Sequence, residues 1–205
     1  MGCFFILSEN IMKVLKFGGT SLGSPERIKG VKKIIESQES PAIIVVSAFQ
    51  GVTDSLKQLS ELASNRDDQY ESLLDQLIIK HIEFTWQLIE EEKQKSVIED
   101  INNICADLRE TLEGIYLLRE LSKHSLDQTL STGEILSSLI ISNVIVDCQL
   151  IDVRKYIKTD SNFGFAGVDF AKTDSIIVKG FSDLKKHIIV PGFIASDQKG
   201  ETTTL

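Results

Sequence analysis

Three short segments of the chain carry residue types that suit chemistry. The first is Lys16-Phe17-Gly18-Gly19-Thr20-Ser21, an apolar run that meets a glycine pair and two hydroxyl residues just ahead of a helix-start signal. Glycines lack a Cβ and let backbone N–H groups approach a phosphate, and the helix start adds its positive end. Lys16 interrupts a run expected to be buried, where an ammonium is costly unless it meets an anion. The carboxyl end of a strand is where open α/β sheets bind ligands. The bland alternative is a tight turn whose lysine reaches back to solvent, and spacing alone leaves the two readings level. The segment matches neither the Walker phosphate loop nor the GxGxxG dinucleotide fingerprint.

The second segment is Ser47-Ala48-Phe49-Gln50-Gly51-Val52-Thr53-Asp54, whose small and hydroxyl residues can line a polar pocket. Thr53 or Asp54 capping the next helix is the simpler role for that segment taken alone. The third is Ser131-Thr132-Gly133-Glu134, at the start of the apolar stretch 135–141. A carboxylate beside a glycine suits capture of an amine through a charge-assisted bond, and a first-turn Glu favouring a helix dipole is the default alternative.

The surrounding elements must hold these segments. Val14-Leu15-Lys16-Phe17 reads as a short buried strand, and Ser24-Pro25-Glu26 opens a helix with a cap, an N1 proline and an acidic first turn. Ile28, Val31, Ile34 and Ile35 form its apolar face. Ala42-Ile43-Ile44-Val45-Val46 reads as a strand covered on both faces, completing a βαβ unit with a parallel pair. From about Thr53 to Asn143 almost everything reads as helix. Val97, Ile101, Ile104, Leu108, Leu112, Ile115 and Leu118 form one stripe, and Leu73, Leu74, Leu77, Ile78, Phe84 and Leu88 form a facing one. An antiparallel helical pair inserted over about residues 55–125 follows. Leu150-Ile151-Asp152-Val153 then reads as a strand, residues 171–184 as a helix, and His187 to Pro191 as a buried strand. A turn at Asp197-Gln198-Lys199-Gly200 returns the chain through Thr202-Thr203-Thr204. The fold expected is α/β, a largely parallel central sheet with helices on both faces.

The 205 residues carry a formal charge of −8, with no dominant basic patch, which argues against nucleic-acid or anionic-membrane binding. No apolar run approaches the ~18–20 residues of a membrane span. Cys3, Cys105 and Cys148 form no CxxC pair and read as free thiols of a reducing cytoplasm; His81, His124 and His187 are equally scattered, and no metal site is expected. Residues 1–11 lack a secretory pattern and are expected to lie outside the fold, as a disordered or non-native extension.

In this order, the three segments resemble those of the aspartokinases of the amino acid kinase family. The likeness runs from Met12 to Leu205 and continues through Asp152-Val153-Arg154-Lys155, Pro191-Gly192-Phe193-Ile194, Gly200 and Thr202-Thr203-Thr204-Leu205. The resemblance implies a carbamate kinase-like fold and phosphorylation of L-aspartate to 4-phospho-L-aspartate by ATP with Mg2+, the first step toward lysine, threonine and methionine. It implies that Lys16 neutralises the moving phosphoryl group, and that the stretch Lys16, Phe17, Gly18, Gly19, Thr20 and Ser21 holds phosphates. Ser47 and Thr53 would contact aspartate, and Glu134 its α-ammonium. The family pattern continues past Leu205 into a glycine-, arginine- and aspartate-bearing segment. Residues 12–205 are therefore expected to be the amino-terminal, substrate-binding lobe, truncated before the nucleotide-binding lobe and nearly inactive alone. Many relatives carry a basic residue where Glu201 stands. The complete protein is expected to be a cytoplasmic homo-oligomer. The rival readings are a kinase of glutamate, acetylglutamate or carbamate type, or a non-catalytic partner-binding lobe.

Overall fold

Four parallel strands form the central sheet, in the order β1-β2-β4-β3: β1 Lys13–Phe17, β2 Ala42–Val46, β3 Cys148–Leu150 and β4 His187–Pro191. The computed structural model describes residues 12–181 and 185–205. The expectation for residues 1–11, and the last three residues of the helix expected over 171–184, lie outside the described residues. A separate antiparallel hairpin, β5 Ile194–Ser196 with β6 Thr202–Thr204, follows β4. Its turn has Gly200 at φ +88 and Asp197 accepting from the N–H groups of Lys199 (2.8 Å) and Glu201 (3.0 Å).

β1 is an edge strand, not the buried one its apolar run implies. Val14 is 59% exposed and Lys16 is exposed, while Leu15 and Phe17 pack on the core. β2 lies between β1 and β4; Ala42, Ile44 and Val46 are fully buried, and Ile43 and Val45 on the other face are half-buried.

Helix α1, Pro25–Glu36, crosses from β1 to β2, with Ser24 accepting from the Arg27 N–H (3.4 Å) and Pro25 at its first position. It buries Ile28, Val31 and Ile35, whereas Ile34, placed on that face by sequence, is 50% exposed. Four helices connect β2 to β3: α2 Val52–Ser64, α3 Gln69–Leu88, α4 Glu91–Leu118 and α5 Lys123–Val144. α3 and α4 are joined by two residues and pack on each other through Leu74, Leu77 and Phe84 and through Val97, Ile101, Leu108, Leu112 and Ile115. Leu118, at the end of the α4 stripe, is 77% exposed. The helical region is thus a group of four, of which the expected pair is the middle two.

The strand expected at 150–153 sits two residues earlier. Asp152 instead caps a single 3-10 turn, Val153–Lys155, accepting from the Arg154 N–H (3.1 Å) and gripping the Arg154 guanidinium at 2.9 Å. Helix α6, Phe170–Phe181, precedes β4.

Helices α1 to α5 bury one face of the sheet in the main core. The other face has a smaller cluster in which Ile188, Val190 and Ile194 meet Val153, Phe181 and Ile177 of α6. The carboxyl ends of β1, β2 and β4 lie side by side and lead into Gly18, Ser47 and Gly192.

Candidate functional site

At those three strand ends a cavity of about 490 Å³ is lined by Lys16, Ser47, Thr53, Glu134, Phe193 and Leu205. Four of the six are residues expected from their types and positions to have a chemical role, and they arrive from β1, the end of β2, α2 and α5. Lys16 is exposed, so the expectation of a buried ammonium forced toward an anion is corrected. At a sheet edge its position costs little; what places it in the site is the cavity it shares with Glu134. Its Nζ makes no ion pair or hydrogen bond with any described residue.

Glu134 is 4% exposed. Its Oε1 accepts from the Ala48 N–H (3.3 Å), and its Oε2 has no partner among the described residues. Burial pushes its carboxyl up to about 7, against the smaller opposing pull of the Ala48 N–H. α5 begins at Lys123, so Glu134 lies three turns inside the helix and the first-turn dipole role does not apply. Gly133 explains how a helix comes so near the β2 end. A Cβ there would stand 2.9 Å from the Ala48 Cβ and 3.1 Å from Val52 and Leu56.

Thr53 is the second residue of α2 and does not cap it. The cap is Gly51, at φ +82, with no side-chain bond. The hydroxyls of Thr53 and Ser47 make no hydrogen bond with a described residue, which leaves both available to a ligand.

Phe17, Gly18, Gly19, Thr20 and Ser21 do not line the cavity. Phe17 packs its ring on the main core, and its carbonyl accepts from the Ser47 N–H (3.1 Å). The loop beyond turns on bonds from Ser21 N–H to Gly18 O (2.9 Å) and Leu22 N–H to Gly19 O (3.1 Å), and the Arg27 guanidinium braces Thr20 O at 2.8 Å. The N–H groups of Gly18, Gly19 and Thr20 have no partner among the described residues, so they are free to meet an anion. Gly19 lies against the second segment, since a Cβ on it would be 3.0 Å from Ala48 O.

Sequence reasoning missed the walls and the fixings of the site. Phe193, at φ +62, and Leu205 close the cavity, and the Leu205 N–H donates to Phe193 O (2.9 Å). Position two residues past the end of a central strand was the available signal for Phe193. Asp127 of α5 is fully buried and accepts from the Gly164 N–H (3.0 Å) and from the Thr204 N–H (3.0 Å) and hydroxyl (2.7 Å), fixing β6 on α5. Glu201 Oε2 meets the ring of His124 at 3.1 Å.

The described residues contain no group of three or more His, Cys, Asp and Glu side chains arranged for a metal ion, and none of their helices is long and apolar enough to cross a membrane. Cys105 and Cys148 are free thiols, whose pKa values burial raises to about 12 and about 11.

Known proteins resemble this chain in sequence and fold. Residues 12–205 match the model of the amino acid kinase family. A bifunctional aspartokinase/homoserine dehydrogenase of Daucus carota is 32% identical over 197 residues, covering 93% of this chain and 21% of that protein. Lysine-sensitive aspartokinase 3 of Escherichia coli K12 is 30% identical over 203 residues, covering 94% and 42%. A crystal structure of E. coli aspartokinase III in complex with aspartate and ADP superposes with a TM-score of 0.86 at 28% identity, over 95% of this chain and 43% of that one. The chain therefore spans less than half the length of these relatives. With a family match over nearly its whole length and a parallel sheet whose strand ends carry the site, the chain belongs to the amino acid kinase family.

Proposed function

We propose that the chain is the substrate-binding lobe of an aspartate kinase, which transfers the γ-phosphoryl group of ATP to the side-chain carboxylate of L-aspartate. The observation that carries this is Glu134: a buried carboxylate with one oxygen unpartnered among the described residues, lining a pocket that the Lys16 ammonium also lines. Such an oxygen calls for a cation. A free α-ammonium supplies one, whereas an acetylated amine or carbamate does not, which favours aspartate over substrates of acetylglutamate or carbamate type. Relatives that bear the name aspartokinase, and the one bound to aspartate and ADP, support the choice.

In this reading Glu134 holds the α-ammonium, and Ser47 and Thr53 orient the rest of the amino acid. The β-carboxylate attacks the γ-phosphorus as the bond to the β-phosphate oxygen breaks, giving an acyl phosphate and ADP. Lys16 and the free amides of Gly18, Gly19 and Thr20 neutralise the phosphoryl oxygens during transfer. Positioning and charge stabilisation suffice for such a step, without a protein nucleophile. Mg2+ would arrive on the phosphates of ATP: the cavity lining offers a single carboxylate, Glu134, whose task is the ammonium. The product would feed lysine, threonine and methionine synthesis in a reducing cytoplasm, and the complete protein would self-associate. Residues 12–205 would then be one lobe, with α3 and α4 inserted into it and the nucleotide base held elsewhere.

Calorimetric titration of the natural full-length protein with L-aspartate tests the assignment. Glu134→Gln should weaken binding by about 10- to 100-fold, the worth of one charge-assisted hydrogen bond. Unchanged affinity would remove the ammonium-binding role.

A further inference from the structure

The loop that follows β2 joins several parts of the site. Its Ser47 lines the cavity, the Ala48 N–H holds Glu134, Ala48 O lies beside Gly19, and Gly51 starts the helix that carries Thr53. Its outer side is gripped by two consecutive residues of α3. The buried ring of His81 stacks on Phe49 with centroids 5.4 Å apart, and Lys80 Nζ donates to Gln50 O at 2.7 Å.

The two contacts differ in kind. The Phe49–His81–Phe84 stack is part of the core and would be expected of any packed loop. The Lys80 contact is not. Gln50 is exposed, so water could satisfy its carbonyl without help. Lys80 is instead half-withdrawn from solvent, and burial lowers its pKa. Its one partner shown is that neutral carbonyl. Partial desolvation of an ammonium for a carbonyl that water could serve brings little stability. It does fix the direction of the Gln50–Gly51 peptide, and therefore the left-handed Gly51 and the first turn of α2.

We propose that Lys80 is a positioning residue for the aspartate site, acting through the Gln50 carbonyl to set the 47–51 loop and the start of α2. It touches no reacting atom. By holding that peptide it keeps Ser47, the Ala48 N–H and Thr53 in one arrangement, so that the loop does not reorder each time aspartate enters. The proposal rests on the reading of the cavity as an aspartate site.

The test compares Lys80→Met, Lys80→Gln and Lys80→Arg with Glu134→Gln in the natural full-length protein, reading aspartate affinity by calorimetry and the thermal midpoint by circular dichroism. Lys80→Met and Lys80→Gln should each weaken aspartate by about tenfold, the scale of one bond to a charged group. Lys80→Arg should restore affinity to within about threefold, since a guanidinium can also donate to the carbonyl. A purely structural role predicts the reverse: a lowered midpoint with unchanged affinity, or an arginine variant as weak as the methionine one. Either result overturns the proposal. If Glu134→Gln weakens aspartate while Lys80→Met and Lys80→Gln do not, Lys80 alone loses its role. If Glu134→Gln changes nothing, the site reading fails and the Lys80 proposal falls with it.

Discussion

A carboxylate 4% exposed, with one oxygen lacking a partner among the described residues, works against the fold that contains it. Its pKa is raised from 4.5 to about 7, so the folded chain binds this proton more tightly than the unfolded chain. Stability from this group is therefore lost as pH rises from about 4.5 to about 7, and above that the cost is on the order of 3 kcal/mol. Thermal melts of ligand-free protein should show Glu134→Gln as the more stable form at pH 8, with the advantage largely gone at pH 5. Aspartate affinity should move the other way in the wild type, falling as pH drops below about 7 because a protonated Glu134 cannot hold an ammonium; titrations across pH 6–8 would show a dependence that Glu134→Gln lacks. Lys16 carries no such conflict. Its exposure predicts that Lys16→Ala changes stability by less than about 0.5 kcal/mol, while steady-state kinetics should show turnover reduced by about 10²–10³.

Helix α5 shows why some elements are legible in sequence and others are not. Its apolar half was clear, but Ser131-Thr132-Gly133 are poor helix formers, and with them Glu134 reads as a first-turn residue at the start of that half. Tertiary packing overrides that preference: Gly133 is what lets α5 press against Ala48, Val52 and Leu56. A methyl group there gains ~1 kcal/mol of helix propensity but overlaps Ala48 at 2.9 Å. Gly133→Ala should therefore destabilise by ~1–2 kcal/mol net in denaturant titrations and weaken aspartate binding by moving Glu134. The caps of α1 and the hairpin turn at Gly200 were legible, since their signals are local. The edge position of β1 was not: sheet order is a property of four strands, and nothing within Val14 to Phe17 records which neighbours it has. For the same reason Lys16 looked buried when it is exposed.

Across the whole molecule, residues 16, 47, 53 and 134 are brought to one cavity because β1 and β2 are adjacent and parallel and α5 packs against β2 and β4. The residue types of the site could be read from the chain. Its fixings could not, because the Ala48 N–H, the Lys80 bond and the Phe193–Leu205 wall depend on backbone geometry that composition does not encode. A net charge of −8 does not conflict with the proposed phosphate-bearing substrate, since under that proposal one ammonium and three backbone amides would act locally. The most direct test uses the natural full-length protein with MgATP and hydroxylamine, which traps an acyl phosphate as its hydroxamate. A hydroxamate that forms from L-aspartate and not from N-acetyl-L-aspartate is the predicted outcome. No product from L-aspartate, or equal product from both, would contradict the account.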